Sequence, residues 1–469
     1  MKKLLLGSTA LVVGGLMAAP AMAADPIKIG VGGYYQFYAI AGGIDSTVAA
    51  DGSFTKYKSL NFQQEGEIHF IGQTKLDNGT TVGLHVELEG WNASAGGIGA
   101  AGSGTSPRYI DEAFLFAFGD WGRLEFGGRD PASYRMYYGT PSALLGFGAI
   151  QHNTNFAWAN GFVMANNKAW FHATTTTNAG QFQDAQGINY FTPRFAGLQI
   201  GVGYRPKSNV GQQAGALSGL GQVGAAFGGA GVCGFTDPTT APNCPSMDYT
   251  WQDVFDVGVN YLNKFGDVTV ALYGAFMYAS FIPGMQPFGT QNYANGANLT
   301  SWKQWVVGAQ FGYAGFTVGG AIGYDNNGLG SNYYTGVDND TRFYTAGIMY
   351  ETGPWQMSFN WVGSFNTNGN GSQTINNIAA GTNVATNGTP GGGNTGVPGI
   401  NANAFAPRGT PGSVNFGQES VQKFEVGINY ALGPGVKLTG GGLYYAASGP
   451  SNAVSGNSWG LLVGMDLRF

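Results

Sequence analysis

The sequence predicts an all-β protein: a sixteen-stranded antiparallel barrel that crosses a membrane with its strands. Three observations carry this. The last stretch alternates: Trp459, Leu461, Val463, Met465, Leu467 and Phe469 are apolar, and the residues between them, Leu462 apart, are small or polar. Successive side chains of a strand face opposite ways, so this strand has one greasy face. The composition is unlike that of a soluble domain: charged residues are 10% of the chain and glycine is 81 of 469 residues, against about 25% and about 7% in ordinary proteins. An apolar exterior around a polar lumen reconciles low charge with a mean hydropathy of −0.06. Finally, short turns and longer loops alternate along the chain, the pattern of even-numbered membrane barrels.

The N-terminus reads as an export address. Lys2 and Lys3 precede an apolar run from Leu4 to Ala19, then Ala21-Met22-Ala23. This is the pattern of a secretory signal peptide, residues 1–23, cleaved after Ala23. Its removal takes two lysines and no acid, so the formal charge moves from −5 to −7. An acidic balance gives no basis for nucleic-acid binding. Beyond residue 23 no apolar run approaches the ~20 residues of a transmembrane helix.

Each strand follows from period two. Ile27, Ile29, Val31, Tyr35 and Phe37 share one face of the first. In the second, Leu60, Phe62, Ile68 and Phe70 face out and Glu65, Glu67 and His69 face in, with Gln64 a blemish on the apolar side. A favoured Asn78-Gly79 turn leads to the third, where Val82, Leu84, Val86 and Leu88 oppose His85, Glu87 and Glu89. In the fourth, Ile110, Phe114, Phe116 and Phe118 are expected outward and Asp111 inward. That phase also puts Glu112 outward, where it needs a subunit contact or the headgroup level. The fifth has Leu124 and Phe126 outward, with Arg123, Glu125 and Arg129 inward.

A weakly patterned segment, 130–184, follows. Strands resume around Ile188-Asn189-Tyr190 and Leu198 to Tyr204. A Gly-rich loop, 206–250, comes next. Nine more alternating segments end at the last strand, interrupted by an Asn/Gly/Thr-rich loop, 366–418. The count is sixteen strands, seven short turns and eight longer loops. Gly187-Ile-Asn-Tyr190, Gly258-Val-Asn-Tyr261, Gly347-Ile-Met-Tyr350 and Gly427-Ile-Asn-Tyr430 recur at one phase before the short turns, and Tyr313 takes the same place. Amphipathic rings favour the headgroup level, so these tyrosines read as one aromatic girdle.

Cys233 and Cys244 are the only cysteines. In an exported chain they are candidates for a disulfide closing the loop; two free thiols are the alternative. Chemistry beyond this is sparse. His69 and His85 lie near Glu67 and Glu87, which allows a metal site; pore-lining polar residues are the plainer reading, and no metal or cofactor is expected. A lipase barrel needs its Ser-His-Asp set on the lipid face, and both strand histidines face inward. No Gly-rich run is followed by Lys-Ser/Thr, so none is a phosphate loop. No enzyme is predicted.

The ensemble resembles the Gram-negative general (trimeric) outer-membrane porin family. It is carried by the export signal, the sixteen-strand pattern, Trp121-Gly-Arg-Leu-Glu-Phe-Gly-Gly-Arg129, the hairpin from Ile188 to Gly197 and the terminal Phe469. The resemblance implies an outer-membrane homotrimer in contact with lipid and lipopolysaccharide. It implies that Phe469 is read by the barrel-assembly machinery and that the third external loop, within 130–184, folds inward and narrows the pore. Pore-lining and constriction candidates are then Glu65, Glu67, His69, His85, Glu87, Glu89, Asp111, Arg123, Glu125, Arg129, Asp130, Arg135 and Lys168.

Family constrictions set acidic loop residues against a basic wall. Here Asp130 and Asp184 are the loop's only acids, and Arg135, His152, Lys168 and His172 accompany them. The wall carries the glutamates. A reversed polarity is one reading, and salt bridges remote from the neck are the other. The function expected is passive diffusion of ions and small hydrophilic solutes, with a mild cation preference. The alternatives are a sugar- or anion-specific channel and a surface adhesin or receptor.

Overall fold

The computed structural model describes residues 26–44, 47–48, 54–55, 60–92, 110–144, 182, 185–207, 251–281, 297–326, 329–332, 340–374, 413–448 and 456–469. The expected signal peptide, His152, Lys168, His172 and both cysteines lie outside these residues, and so do the side chains of Glu65 and Glu89.

Sixteen strands close into one antiparallel barrel. In chain order they are β1 Lys28–Ile44, β2 Leu60–Lys75, β3 Thr81–Asn92, β4 Ile110–Gly119, β5 Gly122–Gly128, β6 Gln186–Phe191, β7 Leu198–Lys207, β8 Trp251–Phe265, β9 Val268–Phe281, β10 Trp302–Tyr313, β11 Phe316–Asp325, β12 Thr341–Thr352, β13 Trp355–Thr374, β14 Ser413–Gly433, β15 Val436–Ser448 and β16 Gly456–Arg468. Every strand pairs with the next. The seam is β1 against β16, from Tyr34 opposite Arg468 to Ile44 opposite Ser458. Phe469 extends it, since its N–H donates to Gly33 O (3.1 Å) and its carbonyl accepts from Gly33 N (2.9 Å). Among the described residues, closure pairs each barrel strand with a neighbour on both sides, sparing it an open edge that lipid would penalise. Two short strand pairs sit in the connections: Thr47–Val48 with Phe54–Thr55, and Ala297–Leu299 with Leu329–Asn332.

The tight turns fall where the sequence places them. Ala314 and Gly315 both have positive φ (49° and 84°), the conformation whose twist suits a two-residue hairpin. At the first turn, Asn78 Oδ1 accepts the Thr80 N–H at 2.9 Å. The girdle tyrosines pair with neighbouring rings: Tyr190 stacks on Trp121, Tyr350 on Phe316, and Tyr430 meets Trp355 edge-on.

Burial is inverted relative to a soluble protein. Large apolar side chains are exposed on the outside, as at Ile29 and Val463, while Gln36, Asp256, Asn260, Gln304 and Asn360 are buried on the inward face. Gln64 is accommodated because its Oε1 accepts the Tyr35 hydroxyl at 2.6 Å.

Strand β4 departs from its expected phase. Val86 pairs with Ala113 and Leu88 with Ile110, so β4 spends three residues where β3 spends two. This β-bulge at Asp111 and Glu112 reverses the alternation. Ile110 faces outward as expected. Beyond the bulge Leu115 is the exposed residue, 60%, and Phe114 and Phe116 are buried at 4% and 5%. Leu115 lies opposite outward Leu84, and Phe114 opposite inward His85. The three phenylalanines 114, 116 and 118 therefore have the lumenal phase. Glu112, unwelcome on a lipid face, belongs to the lumen too.

Strands β13 and β14 also run further than the pattern suggests. Thr367 pairs with Gln418 and Thr374 with Ser413, inside the stretch expected to be a loop. Backbone pairing needs no apolar alternation once a strand has left the lipid, so composition concealed it.

Candidate functional site

The inward faces of β1 to β5 form a band of charge. Antiparallel pairing sets Glu67 opposite Glu89, His69 opposite Glu87 and Ile71 opposite His85. The Tyr34 hydroxyl donates to Glu67 Oε1 at 2.9 Å. Glu67 Oε2 lies 2.9 Å from His69 Nε2, and His69 Nδ1 lies 3.3 Å from His85 Nε2. His85 Nε2 stands 3.4 Å from Glu87 Oε1, which accepts Arg129 Nη1 at 3.0 Å. Arg129 also pairs with Glu112. Asp111 completes a group in which the Glu67, Glu87 and Asp111 carboxylates come within 4.8 Å of one another.

A second charged centre lies beside the first. Glu125 accepts Arg123 Nε at 2.6 Å and pairs with Arg135 through its other oxygen. The guanidiniums cover aromatic faces: Arg129 lies 4.8 Å from the Phe114 centroid, Arg123 4.7 Å from that of Phe116, and Arg135 4.9 Å from that of Phe191. Of the acids and bases predicted for the pore, those whose side chains are described thus converge on one side of the barrel.

The chain leaving β5 is tied to this wall and beyond it. Asp130 O accepts Asn189 Nδ2 at 2.9 Å, and Asp130 N–H donates to Glu112 Oε1 at 3.0 Å. Burial pushes the Asp130 carboxyl up to about 6; Arg129 pulls it back and Asp111 adds to the rise. A single helical turn, α1 Ala132–Arg135, follows. The Ser133 N–H donates to Asp256 Oδ1 of β8 (2.8 Å), and Ser133 O accepts the Tyr273 hydroxyl of β9 (2.5 Å). Met136 O accepts Asn260 of β8 at 3.2 Å. Thr140 bonds Thr345 of β12, and Ser142 bonds Glu425 of β14. Ala143 N–H donates to Ser358 Oγ of β13 (3.0 Å), and its carbonyl accepts Asn429 of β14 (2.6 Å). All these partners are on inward faces. An apolar patch beneath the segment joins Ala132 and Met136 to Phe191, Tyr273, Val306 and Phe343. Residues 145–181, 183 and 184 lie outside the described set.

One buried pair pins the start of this segment. Arg205 of β7, 1% exposed, donates to Asp256 Oδ2 (2.9 Å), to Arg129 O (2.8 Å) and to Asn189 Oδ1 (3.2 Å). Sequence reading put Glu112 on the outward face and assigned no role to Asn189, Arg205 or Asp256. The signal was there: charged or amide side chains at the inward phase of otherwise plain strands.

The chain matches known proteins chiefly at the level of family. A family model described as "Gram-negative porin" matches residues 7–450. An uncharacterized protein of Rickettsia conorii is 24% identical over 281 residues, 55% of this chain and 63% of its own length. A similar match in Rickettsia felis is 24% identical over 191 residues, 38% of this chain and 43% of its own length. The chain thus spans less than two thirds of these relatives. Among solved structures, an anion-selective porin from Comamonas acidovorans superposes with a TM-score of 0.48 at 12% identity, covering 94% of this chain and all of that one. The outer-membrane channel DcaP of Acinetobacter baumannii gives 0.49 at 11%, covering 95% of this chain and 98% of its own.

Proposed function

Since the chain belongs to the Gram-negative porin family, a family of non-enzymatic outer-membrane channels, we propose that it lets ions and small hydrophilic solutes diffuse passively through its lumen with a mild cation preference. Fixed lumenal charge selects ions by sign. The observation that carries the preference is the imbalance of the band. Among its described residues, six carboxylates (Glu67, Glu87, Asp111, Glu112, Glu125, Asp130) meet three guanidiniums (Arg123, Arg129, Arg135). The nearby Arg205–Asp256 pair cancels itself.

The segment from Asp130 is proposed as the start of the constriction loop. Its bonds to Asp256, Tyr273, Thr345, Ser358 and Glu425 support that reading. The homotrimer and the recognition of Phe469 by the assembly machinery rest on the family alone.

A sugar-specific channel is the reading to set against this, because Phe114, Phe116 and Phe118 form a lumenal row with centroid spacings of 6.4 and 6.0 Å. Sugar stacking needs free ring faces. Phe114 and Phe116 are instead buried under Arg129 and Arg123, which favours the general pore. Swelling of proteoliposomes in a series of neutral sugars tests this. Uptake should fall smoothly with solute size. Saturation with one sugar would support a specific channel, and no swelling at all would remove the pore.

A further inference from the structure

We propose that His69, His85 and Glu87 form a lumenal site for a borderline divalent metal ion of the Zn2+ class, with Glu67 and Tyr34 holding the ligands in place. A tetrahedral Zn2+ binds imidazole nitrogen and carboxylate oxygen at about 2.0–2.2 Å, which puts neighbouring ligand atoms roughly 3.3 Å apart. His69 Nδ1 and His85 Nε2 are 3.3 Å apart, and His85 Nε2 and Glu87 Oε1 are 3.4 Å apart. The three side chains each offer a ligand atom within 4.8 Å of the others. Neighbouring strand register brings them together: His69 opposes Glu87 directly, and His85 lies two residues away on the same inward face.

The surroundings resemble those of a metal site beyond the ligands themselves. A metal-bound histidine commonly gives its other ring nitrogen to a carboxylate, which fixes the tautomer and raises ligand basicity. His69 Nε2 lies 2.9 Å from Glu67 Oε2, so a proton there leaves Nδ1 with its lone pair directed at His85. Glu67 is itself held by the Tyr34 hydroxyl on its other oxygen, at 2.9 Å. Side-chain exposures of 24% for His69 and 13% for His85 leave the imidazoles open to the lumen. Three protein ligands with an open fourth position suit an exchangeable ion with a bound water rather than a closed structural site. The Glu67, Glu87 and Asp111 carboxylates lower the potential there.

Arg129 is the competitor, since it shares Glu87 Oε1 at 3.0 Å. When metal takes that oxygen, Arg129 keeps its pair with Glu112. The competition makes the site reversible. An ion bound there adds positive charge to the acidic band, so occupancy should lower cation conductance. That last step rests on the pore reading; binding itself does not.

The test is titration of the purified, EDTA-stripped full chain with ZnCl2 by equilibrium dialysis. Wild type should saturate at one tight ion per chain, and the His69→Gln/His85→Gln double variant should lose it. Glu67→Gln should weaken binding by about tenfold or more, as loss of such an outer carboxylate does. Zinc-edge X-ray absorption on wild type guards against a variant that fails to fold, and should report two imidazoles. Absence of saturable binding, equal binding by the double variant, or a spectrum without imidazole overturns the site. In bilayers, Zn2+ should reduce single-channel current reversibly with EDTA. Channel steps without zinc binding sink the site and keep the pore; zinc binding without channel steps does the reverse.

Discussion

Arg129 Nη1 lies 3.0 Å from Glu87 Oε1, at the point where the chain leaves β5. The same guanidinium pairs with Glu112 and covers Phe114. One side chain therefore ties the departing segment to both β3 and β4.

Removing it leaves two buried acids, Glu87 at 7% and Glu112 at 2% exposed, without their cation. Breaking a buried pair from one side costs about 3–5 kcal/mol. Arg129→Ala should lower the unfolding midpoint at pH 7.5, measured by urea unfolding in lipid vesicles. An unchanged midpoint would mean that the pair does not stabilise the barrel.

Asp256→Ala acts on the segment itself. It removes the carboxylate paired with Arg205, which is 1% exposed, and the acceptor of the Ser133 N–H. Single-channel recordings should show noisier and larger currents, because the start of the segment loses its anchor. Asp256→Asn keeps an acceptor and should lie between the two. Unchanged conductance in the alanine variant would detach this residue from the neck.

Asp130 should give the channel a pH response. Its carboxyl is pushed up to about 6, so it is charged above that pH and neutral below it. Cation preference should fall between pH 7.5 and pH 5. Asp130→Asn should start lower at pH 7.5 and change less across that window. Equal pH dependence in both proteins would assign the response to other groups.

The bulge in β4 makes a test of its own. Leu115 faces lipid, so Leu115→Arg should cost about 2–4 kcal/mol near the bilayer midplane and impair folding into vesicles. Phe116→Gln, on the lumenal face, should fold with a smaller loss. The opposite ranking would restore the uninterrupted phase.

Much of the barrel is legible because lipid and water impose period two on each crossing, and the Asn-Gly and Ala-Gly turns mark the strand ends. The bulge is hard to read because Ile110, Phe114, Phe116 and Phe118 share one parity and look like one face. Only Glu112, a charge at that parity, betrays the inserted residue. The band at Glu67, His69, His85 and Glu87 is legible from strand register. Its partnership with Arg129 and Arg135 is not, because it depends on where the segment after β5 goes. The anchors of that segment, Asp256, Ser358 and Glu425, are scattered over strands distant in sequence, and nothing local links them to it.

The most direct measurement is the reversal potential of the reconstituted channel in a KCl gradient, for wild type and for a variant with Glu65, Glu67, Glu87 and Glu89 changed to Gln. Wild type should show discrete open-channel steps with zero current displaced toward the potassium equilibrium potential, and the fourfold variant should move toward zero. No steps, a wild-type potential on the chloride side, or a variant indistinguishable from wild type would contradict a pore whose acidic wall sets its selectivity.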